Sequence, residues 1–211
     1  LKRNETWRIC LNHINGLGEF GANEDIDVDR PKKLGLQMSL PNVNRSNKIL
    51  IASQHEKSLQ WKGMPSMTDW TMQTIDKIRK ITNRPIVIRP HPRSPMPGIE
   101  HEFTNVTRQQ PIQVRGTYDN FDIVYNYHLV INHNSGPPIL AAIAGTPVIT
   151  DKSSLAYPIS DTIDNIEDPK LPDDRLLWFT KLTHCEWTVE EIRQGIPIKR
   201  LEKFIKMQVS Y

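Results

Sequence analysis

Arg89, His91 and Arg93 occupy alternate positions of "IRPHPRS", separated by Pro90 and Pro92. Two guanidinium groups and an imidazole at that spacing suit an anion. Side chains alternate in an extended segment, so residues 89, 91 and 93 are expected to share one face. The prolines fix φ and reduce the entropy lost when such a segment orders. Each charge-assisted hydrogen bond to a phosphate contributes roughly 1.5–3 kcal/mol. His91 is the candidate catalytic group here, donating to a leaving phosphate as charge builds on it. The structural alternatives are that Arg89 and Arg93 pair with surface carboxylates and that His91 closes a strand end.

A second stretch, "NHNSGPP" at residues 132–138, suits the same ligand. Asn134 or Ser135 fits a helix N-cap. Gly136 lets a ligand approach the backbone. Pro137 and Pro138 fit the first helical turn, although each removes an N–H that a phosphate could use. Arg89, Arg93, Asn134, Ser135 and Gly136 therefore form the expected phosphate-binding set. Gln54, His133, Asp151 and Lys152, in neighbouring loops, are weaker candidates. His13, Asp25, Asp27 and Asp29 are candidate acids or bases, and Asp27 is paired with His91 as the catalytic expectation. No metal is expected. Asp25-x-Asp27 and Asp27-x-Asp29 lie in an irregular region, no Cys or His pair has zinc spacing, and neither GxGxxG nor GxxxxGK[ST] occurs.

These residues need elements to position them. Apolar runs predict strands over 48–53, 85–88, 129–133 and 146–151, with a weaker one over 112–116. Helical spacing predicts helices over 66–82, 119–126 and 135–145, the last stopped by Gly145. Ser66 and Asp69 resemble a capping box. A tail from Asp173 reads as helical pieces over 173–183, 188–194 and 197–208. Trp70, Trp178 and Trp187 are expected in the core. Strands alternating with helices, and apolar throughout, predict an α/β domain with a doubly wound parallel sheet. Ligands of such sheets sit beyond the carboxyl ends of the strands, where all four polar loops fall. Residues 1–46 are polar and irregular, read as a linker or the remnant of an acceptor domain. Residues 47–211 read as the nucleotide-binding domain with its helical tail.

Composition sets the outer limits. The chain has 211 residues, 37% hydrophobic, and a formal net charge of +3, enough for one packed domain and mildly basic. The basic residues are spread rather than striped, against a dedicated nucleic-acid binder. The two cysteines make a disulfide framework unlooked for and a cytoplasmic setting the expectation. No apolar run reaches the roughly 18 residues of a membrane span. The chain begins at Leu1 rather than Met, which raises the expectation that an N-terminal portion is missing.

"IRPHPRS" followed by "VINHNSGPPILAAIAGTPVIT" resembles the C-terminal, nucleotide-binding half of GT-B glycosyltransferases over roughly residues 46 to 160. A His-Pro element with a later Ser-containing turn is similar to enzymes using CMP-sugars and to CDP-glycerol transferases of wall-polymer synthesis. Residues 173–199, with "HCEWTVEEIRQG", look like the tail of glycosyltransferase-like proteins of tailed phages. The resemblance implies a Rossmann-like fold, a nucleotide-sugar donor, metal-independent transfer to a hydroxyl, and hydroxymethylated DNA as a possible acceptor. The alternatives behind that reading are a CDP-alcohol phosphotransferase, a wall-polymer glycosyltransferase and a nucleotide-binding module without turnover. The family's ribose-holding Glu has no counterpart in "PPILAA".

Overall fold

The computed structural model describes Leu1, residues 5–112 and residues 123–209. In chain order the elements are β1 (Thr6–Arg8), α1 (Arg30–Lys33), β2 (Ile49–Ala52), α2 (Met67–Arg79), β3 (Ile86–Arg89), β4 (Val106–Arg108), β5 (Leu129–Ile131), α3 (Pro137–Ile143), β6 (Val148–Ile149), α4 (Arg175–Thr183), β7 (Glu186–Thr188), α5 (Val189–Arg193) and α6 (Ile196–Val209).

β2 to β6 form one sheet in the order β4-β3-β2-β5-β6, and every pairing in it is parallel. The strands are buried on both faces, and their residues alternate between two cores. Leu50, Val87, Val130 and Val148 pack with α3 and with Trp178, Phe179 and Leu182 of α4. Ile49, Ile51, Ile86, Ile88, Leu129 and Ile131 pack with Ile75 and Ile78 of α2. The continuous apolar runs in the sequence reflect this two-sided burial. The result is an α/β fold with a five-stranded parallel sheet flanked by helices, compatible with a Rossmann-like arrangement.

The strand order reverses beside β2. The chain builds outward through β3 and β4, then returns to place β5 on the other side of β2. A crevice forms at such a reversal, at the carboxyl ends of β2 and β5. Because the sheet is parallel, the loops after β2, β3, β5 and β6 all emerge along that edge.

Most predicted elements form, with shorter bounds. Ser66 caps α2, accepting the Asp69 N–H at 3.0 Å, a bond of about 1 kcal/mol. Gly145 ends the α3 turn at φ +87°, and a side chain there would meet the Leu40 carbonyl. Trp178 and Trp187 are buried, while Trp70 is half-buried. The expected strand at 112–116 and helix at 119–126 lie largely outside the described residues. Ile112 and residues 123–126 are neither helix nor strand. The sheet takes its edge strand from Val106–Arg108 instead, a segment too short and polar to show a period.

The tail is not wholly helical. Glu186–Thr188 pairs antiparallel with Thr6–Arg8 as a second sheet. Arg30 clasps this unit: its Nε donates to Thr183 O at 2.8 Å, Nη2 to Glu186 O at 2.6 Å and Nη1 to Glu191 at 2.6 Å, with the guanidinium 4.4 Å from the Trp187 ring. The two ends of the chain thus share one structure. Among the described residues, no helix is long and apolar enough to cross a membrane.

Candidate functional site

A cavity of about 440 Å³ opens at the strand-order reversal. The loop after β2 supplies Gln54, His55, Lys57, Ser58 and Gln60. The loop after β3 supplies His91 and Arg93, and the turn after β5 supplies Asn134, Ser135 and Gly136. Arg8 and Ile14 reach it from the N-terminal segment, and Ile139 from α3. None of these lining residues is a carboxylate, and the polar part of the wall is made of cations, imidazoles, amides and two serine hydroxyls.

The loops after β2 and β3 repeat one device. In His55-Glu56-Lys57, the Lys57 N–H donates to His55 Nδ1 at 3.0 Å. In His91-Pro92-Arg93, the Arg93 N–H donates to His91 Nδ1 at 3.1 Å. A ring nitrogen that accepts an N–H carries no proton, so each neutral ring holds its proton on Nε2. The two rings meet edge to face with centroids 5.2 Å apart. Two adjacent strands therefore each deliver an imidazole donor with a cation two residues later.

Arg89 does not join His91 and Arg93. It is the last residue of β3 and 5% exposed. It follows Val87 onto the α3 and α4 face and stands apart from the cavity lining. Its charge acts on Tyr127, whose phenol is pushed up by burial and drawn back by Arg89. The expected shared face requires an extended chain through residue 93. Instead, Ser94 N–H bonds to His91 O at 2.9 Å and residues 91–94 turn. The prolines stiffen a turn rather than a strand.

The turn after β5 is bound across the sheet. Asn132, 2% exposed, donates from Nδ2 to Ala52 O at 2.6 Å, and its Oδ1 accepts the Ser135 N–H at 2.8 Å. Asn134 N–H donates to Gln54 Oε1 at 3.2 Å, and Asn134 Nδ2 donates to Ser153 Oγ at 2.9 Å. Neither Asn134 nor Ser135 caps α3. Gly136 is the N-cap residue, with no side-chain cap bond. Ser135 Oγ is held by Asn132, Asn134 Nδ2 by Ser153, and Pro137 and Pro138 give the first turn no N–H for a cap to accept. The helix start offers an anion little, since Pro137 and Pro138 lack N–H groups and Ile139 and Leu140 both return theirs to Gly136 O. A Cβ on Gly136 would meet nothing within 4 Å, so that position borders open space.

The weaker candidates divide. Gln54 lines the cavity and is 2% exposed. His133 instead packs its ring against Trp61, centroids 5.1 Å apart. Burial holds its pKa below the usual histidine value, with Asp151 acting the other way. Asp151 supports the site from behind: its Oδ1 accepts both Ser153 Oγ at 2.6 Å and Ser153 N at 2.9 Å. Burial works against its charged form, but these bonds prevail and its pKa is lowered. Lys152 is exposed and outside the lining.

Asp27 also lies outside the lining. Its carboxylate pairs with Lys33 at 2.6 Å and accepts the Asp29 N–H at 3.0 Å, while its own N–H donates to His184 Nε2. The Lys33 bond holds its pKa down, the opposite of what a base working near neutral pH requires. His13 is exposed, and Asp25 and Asp29 stay with the N-terminal turns. Among the described residues, no group of three or more His, Cys, Asp or Glu is placed to hold a metal ion.

Sequence reasoning missed Arg8, His55, Lys57 and the pinning Asn132. His55 and Lys57 had a signal, because "HEK" after β2 repeats the His-x-cation spacing of "HPR" after β3. Arg8 had none, since β1 joins the site only by pairing with β7. Comparisons with protein-family models, with curated proteins and with solved structures found no match.

Proposed function

We propose that this chain binds a nucleoside diphosphate linked to a sugar and transfers the sugar to a hydroxyl acceptor, in the manner of the GT-B glycosyltransferases its sequence resembles. One observation carries the reading. The loops of adjacent strands bring His55, Lys57, His91 and Arg93 to one cavity at the strand-order reversal, with no carboxylate in the lining. Such a wall favours a polyanion, and diphosphate is the anion that builds charge when a glycosyl bond breaks. The bond from the anomeric carbon to the diphosphate oxygen would break with its electron pair on that oxygen, while the acceptor oxygen bonds to the anomeric carbon and its proton passes to the departing diphosphate or to solvent. Arg93 and Lys57 would stabilise the charge, with the two Nε2–H groups donating to it. These groups act without a metal ion. Hydroxymethylated DNA is the acceptor suggested by the phage resemblance, and the modest net charge of +3 suits salt-sensitive phosphate contacts.

The lack of a carboxylate in the lining favours a second reading, a nucleotide-binding module without turnover. No lining group as bonded is a base for the acceptor hydroxyl, because both imidazoles use Nδ1 to accept backbone N–H groups.

Thermal unfolding with UDP, CMP, CDP, GDP and ADP tests the binding. At 100 times its dissociation constant, the right ligand adds about 2.7 kcal/mol of stability. Gly136→Val should fold, since its side chain points to open space, and should lose that gain. No response to any of the five nucleotides would sink the proposal. Mass analysis of nucleosides after incubation with hydroxymethylated DNA and sugar nucleotides then separates the readings: a mass increase means transfer, and binding without one means the module.

A further inference from the structure

Two residues of the cavity lining carry a buried polar atom with no hydrogen-bond partner among the described residues: Nε of Arg8 and Oδ1 of Asn134. The surroundings decide what each atom lacks.

Asn134 is 6% exposed. Its amide orientation is set from behind. The Ser153 hydroxyl gives its only proton to Asp151 Oδ1 at 2.6 Å, so its lone pair requires a donor. Asn134 Nδ2 is that donor at 2.9 Å. A flipped amide would set two acceptors against each other. Oδ1 is therefore the free atom, and it needs a donor. Arg8 is held at its other two nitrogens, with Nη1 on Ile14 O at 2.9 Å and Nη2 on Glu186 Oε1 at 3.1 Å. Nε is the one guanidinium nitrogen with no partner among the described residues, and its N–H needs an acceptor. One chain of contacts joins the two residues. Ile14 holds Arg8, Gly16 two residues on donates its N–H to Ser153 O at 2.6 Å, and Ser153 holds Asn134. Gly16 is required there, because a Cβ would stand 2.6 Å from Ser154 O.

An ionised phosphate oxygen accepts but does not donate, so it cannot satisfy Asn134 Oδ1. A hydroxyl does both. We infer that Arg8 and Asn134 form a hydroxyl-binding subsite, for the polyol or sugar part of a ligand whose anionic part lies on Lys57, His55, His91 and Arg93. This rests on the reading of the cavity as a phosphate-ligand site. It also gives the N-terminal segment a role, since β1 brings Arg8 to the sheet edge.

The test uses phosphates that differ in hydroxyls. Calorimetry compares glucose 1-phosphate, glycerol 3-phosphate and ribose 5-phosphate with methyl phosphate and inorganic pyrophosphate. At least one hydroxyl-bearing phosphate should bind about tenfold more tightly than methyl phosphate. In Arg8→Lys, which keeps the charge and loses Nε–H, that ratio should collapse towards one, and likewise in Asn134→Leu. If one variant fails to fold, the other carries the assignment, and the wild-type ratio alone still suffices to overturn the subsite. Equal affinity for methyl phosphate and all three hydroxyl-bearing compounds overturns the subsite while leaving the anionic site in place. A wild-type preference that persists in folded Arg8→Lys and Asn134→Leu overturns the assignment to these residues. Binding of none of the five, pyrophosphate included, overturns the reading of the cavity and the subsite with it.

Discussion

The loops after β2 and β3 and the turn after β5 face one cavity, yet they are held in opposite ways. His55 and His91 are fixed by backbone N–H groups two residues away. Asn132 and Asn134 are fixed by Ala52 and Gln54, each 80 residues away in the chain. The charged side chains of the first pair of loops can face a ligand, while Trp61 beyond them packs into the core. The β5 turn ties neighbouring strands together and sets the shape of the cavity. A change in the loops should therefore register in binding, and a change in the turn should register in stability.

The largest effect is expected at Asn132. Asn132→Ala removes the bond to Ala52 O and strands the Ser135 N–H, both next to buried backbone. A loss of about 3 kcal/mol is expected, read from the denaturant midpoint. A loss under about 1 kcal/mol would mean that the turn holds itself and does not depend on the neighbouring strand.

Next comes Arg93→Ala. Affinity for inorganic pyrophosphate should fall by at least tenfold, in line with a charge-assisted hydrogen bond of roughly 1.5–3 kcal/mol. Stability should move by less than about 0.5 kcal/mol, as for ordinary surface changes. Arg89→Ala sharpens the comparison, because Arg89 is buried outside the lining and its loss should appear first in stability. If Arg89→Ala and Arg93→Ala behave alike in both measurements, the turn at 91–94 does not separate their roles.

The smallest effect concerns pH and the β5 turn. Burial against Trp61 lowers the pKa of His133 in the folded chain. The unfolded chain then binds the proton more readily, so stability rises with pH. The contribution is fully present above the unfolded value of about 6.5 and is lost as pH falls through it towards the folded pKa. His133→Gln should show a shallower loss between pH 7 and pH 5 than the wild type. His128 and His184, also held down by burial, remain in the variant, so the difference between the two slopes belongs to His133. Identical slopes would remove His133 from the account.

Much of the frame was legible in the sequence because its cause is local. Apolar runs rich in β-branched residues at 49–51, 86–88 and 129–131 specify strands buried on both faces. Ser66 caps α2 from the neighbouring turn, and Gly145 stops α3 where only a glycine fits. The rule that ligands gather at the carboxyl edge pointed to loops that meet at one cavity, lined among others by His91, Arg93, Asn134, Ser135, Gly136 and Gln54. What the spacing of "RPHPR" could not convey was the turn at residue 91, which sends Arg93 to the cavity and leaves Arg89 in the sheet.

The sequence by itself determined the parallel α/β frame, the edge where the polar loops gather and the donors that two neighbouring loops hold by contacts of two residues. Tertiary structure alone decided that β1 pairs with β7, so that Arg8 reaches the cavity while Asp27 is drawn to Lys33 and His184. It alone decided that Asn134 turns to Ser153 rather than capping α3. The physical reason is chain distance. A partner two to four residues away is imposed by backbone geometry and leaves its mark in the spacing, whereas a partner 80 or 180 residues away is fixed only once both cores have closed around the sheet.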